Sequence, residues 1–379
     1  MPKHPLRVLS VFGTRPEAVK MAPVIRRLAI TSDVASVVCV TAQHRQMLDQ
    51  VLDLFEIKPD YDLDIMKSDQ SLSELTAALF SGLDPVLQRV QPDWVLIQGD
   101  TTTVVAAALI AYYHGVRVGH VEAGLRTGDK WQPFPEEINR CVAGVVADLH
   151  FAPTTQARDN LLHEGTPPDR ILVTGNPVID ALQDIIARPY EVESGPLAGI
   201  PWDRRVILVT AHRRENFGQP LENIFSALLR IAKSYSERVH LVYPVHLNPN
   251  VYDPAQRMLG GVSNITLLEP LDYLHMVHLM ERAYLVLTDS GGIQEEAPAV
   301  GTPVLVLRRV TERREAIEAG TALLVGTDPE RIVAETSRLL DDSELHAEMA
   351  RAVNPFGDGK AAERIVEGLI NFSRGTSAP

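Results

Sequence analysis

Cysteine is nearly absent: Cys39 and Cys141 are the only two in 379 residues. A pair in this setting argues for no disulfide framework. Cys39 falls in an apolar strand pattern and Cys141 in a helical one, so both read as core. Long apolar runs are also missing. No stretch reaches the length that crosses a bilayer, and the run Leu6–Phe12 is cut by Gly13 and Arg15, too soon for a signal peptide. The expected location is cytoplasmic, with no membrane partner. Nor is there a basic surplus. With 36 Lys and Arg against 49 Asp and Glu, the net charge is −13, which argues against nucleic acid as a partner. No His-Glu-x-x-His or zinc-like spacing occurs, and no Gly-x-Gly-x-x-Gly follows the first strand pattern. Neither a metal nor a dinucleotide cofactor is expected.

What is present is an alternation of apolar β-branched runs with helical periodicity, the sign of a parallel sheet covered on both faces. The first half predicts strands at Arg7–Phe12, Ser36–Thr41, Trp94–Gln98, Arg117–Val121, Leu149–Ala152 and Ile171–Thr174. A second set starts at Val206–Thr210 and continues through Val239–Pro244, Ile265–Leu267, Tyr284–Thr288, Pro303–Leu307 and Ala322–Val325. The length exceeds one core, so the fold class is α/β, with two doubly wound Rossmann-like domains in series. The joint is expected between Asn176 and Asp203, where Pro177, Pro189, Pro196 and Pro201 cluster. Ligands of such sheets bind at the carboxyl ends of the strands. Polar motifs follow the strands directly, so both sets are expected to face one cleft.

The most informative motif is Thr288-Asp289-Ser290-Gly291-Gly292-Ile293-Gln294-Glu295-Glu296. A strand, a Ser-Gly-Gly turn and a helix start together suit a phosphate. Glu295 and Glu296 lie one turn on, where a carboxylate can accept from ribose hydroxyls. The plainer reading is an ordinary glycine turn. Gly13-Thr14-Arg15-Pro16-Glu17 has capping-box spacing and would present Arg15, with Lys20 one turn later. Three carboxylates end successive polar motifs: Asp100 in Gln98–Thr103, Glu122 in Gly119–Thr127, and Glu136 behind the Phe134-Pro135 turn. Proton transfer in two directions needs paired acid and base groups; singly, each could be a helix cap. His212 precedes Arg213 and Arg214, and His246 is a weaker candidate. Arg308, Arg309, Arg313 and Arg314 form a basic cluster.

Together these motifs closely resemble the non-hydrolysing UDP-N-acetylglucosamine 2-epimerases of bacteria, from Val11–Ala18 through Asn354-Pro355-Phe356-Gly357-Asp358-Gly359. The resemblance implies a glycosyltransferase-B-like fold with domains 1–175 and 176–354. A final helix in 355–379 would pack back on the first. It implies that Arg15, Lys20, Asp100, Glu122, Glu136 and His212 sit at the sugar and diphosphate. Ser290, Gly291, Gly292 and Glu296 would hold the diphosphate and ribose, with Arg313 lining the site. Leu271 stands where some relatives carry Gln and Met276 where they carry Phe, in a stretch expected to offer main-chain bonds to uracil. Relatives also bind a second UDP-N-acetylglucosamine as activator; the matching residues are Gln43, Gln46, Glu136, Arg213 and His246. A homodimer is implied by resemblance alone.

The implied reaction interconverts UDP-N-acetylglucosamine and UDP-N-acetylmannosamine by elimination of UDP to 2-acetamidoglucal and its re-addition, without cofactor. Asp100, Glu122 and Glu136 would share the acid and base roles. Rival readings are a glycosyltransferase, a hydrolysing epimerase and a non-catalytic nucleotide-sugar sensor.

Overall fold

The computed structural model describes residues 5–42, 45–67 and 70–375, apart from the side chain of Gln46. The chain forms two compact units, Met1–Ala181 with Phe356–Pro379, and Leu182–Pro355. The division falls inside the helix Pro177–Ile186, within the proline-rich window.

The first unit carries a seven-stranded sheet. Its strands are β1 (Leu6–Phe12), β2 (Val34–Val40), β3 (Tyr61–Asp62), β4 (Trp94–Gln98), β5 (Arg117–Val121), β6 (Leu149–Ala152) and β7 (Ile171–Val173). They lie parallel in the order β3-β2-β1-β4-β5-β6-β7. β4 is buried along its whole length, as expected of a central strand covered on both faces. β3 is the one strand the apolar pattern does not signal. Two residues beside the edge of β2 are too short to show a period.

The second unit repeats the plan with β8 (Arg205–Thr210), β9 (Val239–Pro244), β10 (Ile265–Leu268), β11 (Leu285–Thr288), β12 (Val304–Val306) and β13 (Ala322–Leu324). The order is β10-β9-β8-β11-β12-β13. Chain order therefore reverses between β1 and β4 in one sheet and between β8 and β11 in the other, the place where doubly wound sheets open a crevice.

Local sequence explains how the elements start. Thr14 and Glu17 close a capping box on the helix Arg15–Ile30, with Pro16 tolerated in its first turn. Ser71 and Glu74 do the same for the helix Leu72–Val90. The last helix, Ala361–Ser373, belongs to the first unit. Its first amides donate to Asp180, at 3.1 Å from Ala361 and 2.9 Å from Ala362, and Ser373 accepts from the Trp94 indole at 2.7 Å. Gly368 makes this packing possible, since a Cβ there would lie 2.3 Å from Leu172 Cδ1. Among the described residues no helix is long and apolar enough to cross a membrane.

Candidate active site

In the first unit the site residues gather at the carboxyl ends of β1, β4 and β5. Glu122 follows β5 with φ +62°, a left-handed conformation that costs a non-glycine residue about 1–2 kcal/mol. Its carboxylate is held on all sides. Lys20 Nζ donates to both oxygens at 2.6 and 2.8 Å, Gln98 Nε2 donates to Oε2, and Asn176 Nδ2 donates to Oε1 at 2.9 Å. Lys20 and Glu122 are both largely sheltered from water, so the pair is strong and costly to break on one side only.

Asp100 is likewise paired with a cation. Arg140 reaches one of its oxygens from Nη2 at 2.7 Å and from Nε at 3.0 Å, and Asn139 donates to its carbonyl at 2.8 Å. Arg140 also binds Glu137 at 3.0 Å, and Glu137 accepts the N–H groups of Thr127 and Gly128, each at 2.9 Å. The helix Glu136–Val146 thus clasps the turns after β4 and β5. That helix presents Glu136, whose Oε2 is buried with no hydrogen-bond partner among the described residues. A buried acceptor left open this way is what a ligand or a transferred proton would occupy.

Supporting groups lie beneath. The Glu17 carboxylate, fully buried, accepts from Gly13 N at 2.9 Å, Thr14 N at 2.7 Å and Thr101 Oγ1 at 2.6 Å. Burial nevertheless pushes its pKa up. His120, at the end of β5, bonds the Gly99 carbonyl at 2.8 Å, and burial pushes its imidazole down to about 4. Gly99 (φ +79°) also donates to the Val121 carbonyl at 3.0 Å, so the turn that carries Asp100 is pinned to the strand that carries Glu122.

In the second unit, the turn after β11 is the centre. Asp289 is wholly buried and accepts His212 N at 2.9 and 3.1 Å, Arg213 N at 2.9 Å and Asn216 Nδ2 at 3.0 Å. This one carboxylate fixes the loop after β8 against the turn after β11. His212 keeps a half-exposed ring, stacked on His246 with centroids 5.6 Å apart and planes at 8°. The helix Ile293–Ala299 begins at the glycines and contains Pro298. The N–H groups of Gly291, Gly292, Ile293 and Gln294 take no protein acceptor among the described residues, which suits an anion. Gly291 is closely approached, since a Cβ there would stand 3.1 Å from Glu312 Oε1 and 3.3 Å from the Arg313 guanidinium, and these side chains would have to give way by a few tenths of an ångström.

The two glutamates of that helix separate. Glu295 is turned to Arg313 at 2.7 Å, while Glu296 accepts the Tyr273 hydroxyl at 2.9 Å. Arg313 is buried and also binds Glu312 at 2.7 Å. Burial pushes the Glu312 carboxyl up, but Arg313 and Arg308 outweigh it and hold it at about 2. The charge of Arg313 is therefore already matched by two carboxylates. Arg308 is likewise engaged, with Glu215 at 2.6 Å and Glu312 at 2.7 Å.

Arg15 stands half-buried in the first turn of its helix. Leu271 is buried and Met276 half-buried. Met276 lies in the helix Tyr273–Arg282, which Asp272 caps by accepting His275 N at 2.9 Å. Met276 N donates to the Asp272 carbonyl at 3.1 Å. The amides of His275 and Met276 are thus used within the helix, which removes them from the main-chain donors expected of this stretch. Gln43 lies outside the described residues, as does the side chain of Gln46. The residues that motif reading passed over are Glu137, Arg140, Asn176, Asp289 and Glu312. Each is a buried or half-buried polar group serving another polar group, and its only sequence signal is its place inside a quoted motif or beside one.

A family model described as UDP-N-acetylglucosamine 2-epimerase matches residues 26–370. The UDP-N-acetylglucosamine 2-epimerase of Yersinia pestis is 55% identical over 372 residues, which is 97% of this chain and 99% of that protein. The enzyme of that name from Escherichia coli strain K12 is 54% identical over 372 residues, with the same shares covered. Among solved structures, the UDP-GlcNAc 2-epimerase from Neisseria meningitidis bound to UDP-GlcNAc aligns with a TM-score of 0.89 at 49% identity. The alignment covers 96% of this chain and all of that one.

Proposed function

The chain belongs to the UDP-N-acetylglucosamine 2-epimerase family, and on that premise we propose that it inverts C2 of UDP-N-acetylglucosamine by eliminating and re-adding UDP. The C2 proton is not α to a carbonyl, so an enolate route is closed. In the forward half, a carboxylate takes the C2 proton. The C2–H electron pair becomes the C1–C2 double bond, and the C1–O bond breaks to release UDP, leaving 2-acetamidoglucal. In the second half, a proton is delivered to the opposite face of C2 while a UDP oxygen attacks C1, giving UDP-N-acetylmannosamine.

The observation that carries this reading is the contrast among the three carboxylates. Lys20 balances Glu122 and Arg140 balances Asp100, so both suit the ionised role of base or of stabiliser for developing positive charge. Glu136, with one oxygen buried and unpartnered among the described residues, is our candidate for the group that hands over or takes up a proton. Lys20 then acts on Glu122 rather than on phosphate. In the second unit the departing diphosphate draws on Ser290, Gly291 and Gly292 and on His212 and Arg213, and the ribose on Glu296. Arg313, already matched by Glu295 and Glu312, holds the glycine turn in shape. Met276 borders the base.

Incubation with UDP-N-acetylglucosamine alone in heavy water tests the proposal. Two UDP-sugars at equilibrium, the new one carrying deuterium at C2, are expected. Free sugar with UDP would mean a hydrolysing enzyme, and no reaction without an acceptor a glycosyltransferase. Product lacking deuterium at C2 would overturn the elimination route.

A further inference from the structure

Asp100 stands between two residues whose polar groups are gripped by buried side chains, and neither grip has a role in the chemistry proposed above. On one side, the Gly99 carbonyl is bonded by His120 Nε2 at 2.8 Å. A carbonyl only accepts, so that nitrogen carries the proton. Burial pushes the imidazole down to about 4, which keeps the ring neutral at pH 7, and its buried Nδ1 has no partner among the described residues. On the other side, the Thr101 hydroxyl donates to Glu17 Oε1 at 2.6 Å.

Glu17 holds more than a helix cap requires. A capping box asks its glutamate only to accept the N–H of the cap residue. Here Oε2 accepts both Gly13 N at 2.9 Å and Thr14 N at 2.7 Å, and Oε1 takes Thr101, 84 residues away. Gly13 and Thr14 follow β1 and Thr101 follows β4, which are neighbours in the sheet. One turn further along the helix of Glu17 stands Lys20, which pairs with Glu122. Burial raises the Glu17 pKa more than its hydrogen bonds lower it, so this carboxylate is kept inside at a cost. Capping alone does not demand that cost, since Glu74 closes the other capping box from an exposed position.

We propose that Glu17, acting through Thr101, is a positioning residue for Asp100. It sets the spacing between the turn that carries Asp100 and the helix whose Lys20 holds Glu122. Carboxylates that act on one sugar carbon need a fixed separation, and a displacement of about 1 Å can cost about 10²-fold in rate. His120 holds the same turn from its other end. The inference rests on the elimination reading above, in which Asp100 takes part in the chemistry at C2.

The test uses the full-length enzyme. Thr101→Val keeps the shape and removes the hydroxyl, so kcat should fall about tenfold while UDP affinity by titration calorimetry stays within about twofold. Thr101→Ser should return kcat to within about twofold of the parent. Glu17→Gln should stay within about threefold, because its oxygen can take the two N–H groups and its NH2 can donate to Thr101, whose hydroxyl turns to accept. Glu17→Ala should lower kcat about a hundredfold; should it fail to fold, Thr101→Val decides. Valine also removes the cap on Val104 N, a loss that would act in any background. A double-variant cycle with Asp100→Asn separates the two effects: Thr101→Val should add less than twofold to the loss in Asp100→Asn, because it acts through Asp100. Unchanged kcat in Thr101→Val would overturn the inference, and so would effects that multiply in the double variant. A loss in Glu17→Gln as large as that in Glu17→Ala would also overturn it, since charge rather than position would then be at work. Parental kcat in Asp100→Asn alone would instead remove Asp100 from the chemistry, so failure of the underlying reading is distinguishable from failure of the inference.

Discussion

Replacing Asp289 by asparagine probes the keystone of the second unit. The carboxylate is inaccessible to water and takes hydrogen bonds from three donors, His212 N, Arg213 N and Asn216 Nδ2. Asparagine keeps the shape but offers one acceptor oxygen and turns an NH2 group toward donors. Hydrogen bonds to a charged acceptor contribute about 1.5–3 kcal/mol each. His212 and Arg213 are partly exposed, so water can relieve part of their loss, whereas Asn216 is buried. The net cost should be about 2–4 kcal/mol, falling on the β8 and β11 ends. Hydrogen exchange followed by mass spectrometry reads this directly. Amides of Arg205–Thr210 and Leu285–Thr288 should lose protection by about 30- to 700-fold, while β4 and β5 of the first unit keep theirs. Because His212 loses its anchor as well, kcat should drop with the loop. Protection in β8 and β11 within threefold of the parent would refute the idea that one buried carboxylate organises this half of the site.

Glu296→Ala should weaken UDP binding by about 1.5–3 kcal/mol in titration calorimetry, the cost of losing a charged acceptor, whereas Glu295→Gln should act on stability first because its partner is Arg313. His120 and His150 form an acid-sensitive pair, facing each other in register on β5 and β6. Burial pushes them down to about 4 and about 3. The unfolded chain binds more protons than the folded one between pH 6.5 and those values, so stability is full above 6.5 and lost as pH falls through this window. The urea midpoint should therefore drop from pH 7 to pH 4.5, and His150→Phe should flatten that drop; parallel curves would count against the pair.

How far the sequence could be read depended on how local each interaction is. The apolar runs placed β4, β5, β6 and β9 to the residue; β4 is apolar up to its last residue because it is buried on both faces, and a single histidine interrupts each of β6 and β9. Only the two-residue β3, too short for a period, escaped. The capping box of Thr14 and Glu17 was legible because its partners are three residues apart. The motifs brought Asp100 and Glu122 to light because they follow strand ends, where a doubly wound sheet exposes side chains to a ligand, and Glu136 because it opens the helix after the Phe134-Pro135 turn. What the linear order could not decide was which charge answers which. Lys20 meets Glu122 across 102 residues, Arg140 meets Asp100 across 40, and Asp289 gathers a loop 73 to 77 residues away. Neighbouring Glu295 and Glu296 look alike in sequence, yet one is turned to Arg313 and the other to Tyr273. Those pairings follow from strand order and the packing of helices on two sheets. A buried charge must find its partner in space, and it leaves no periodic trace along the chain.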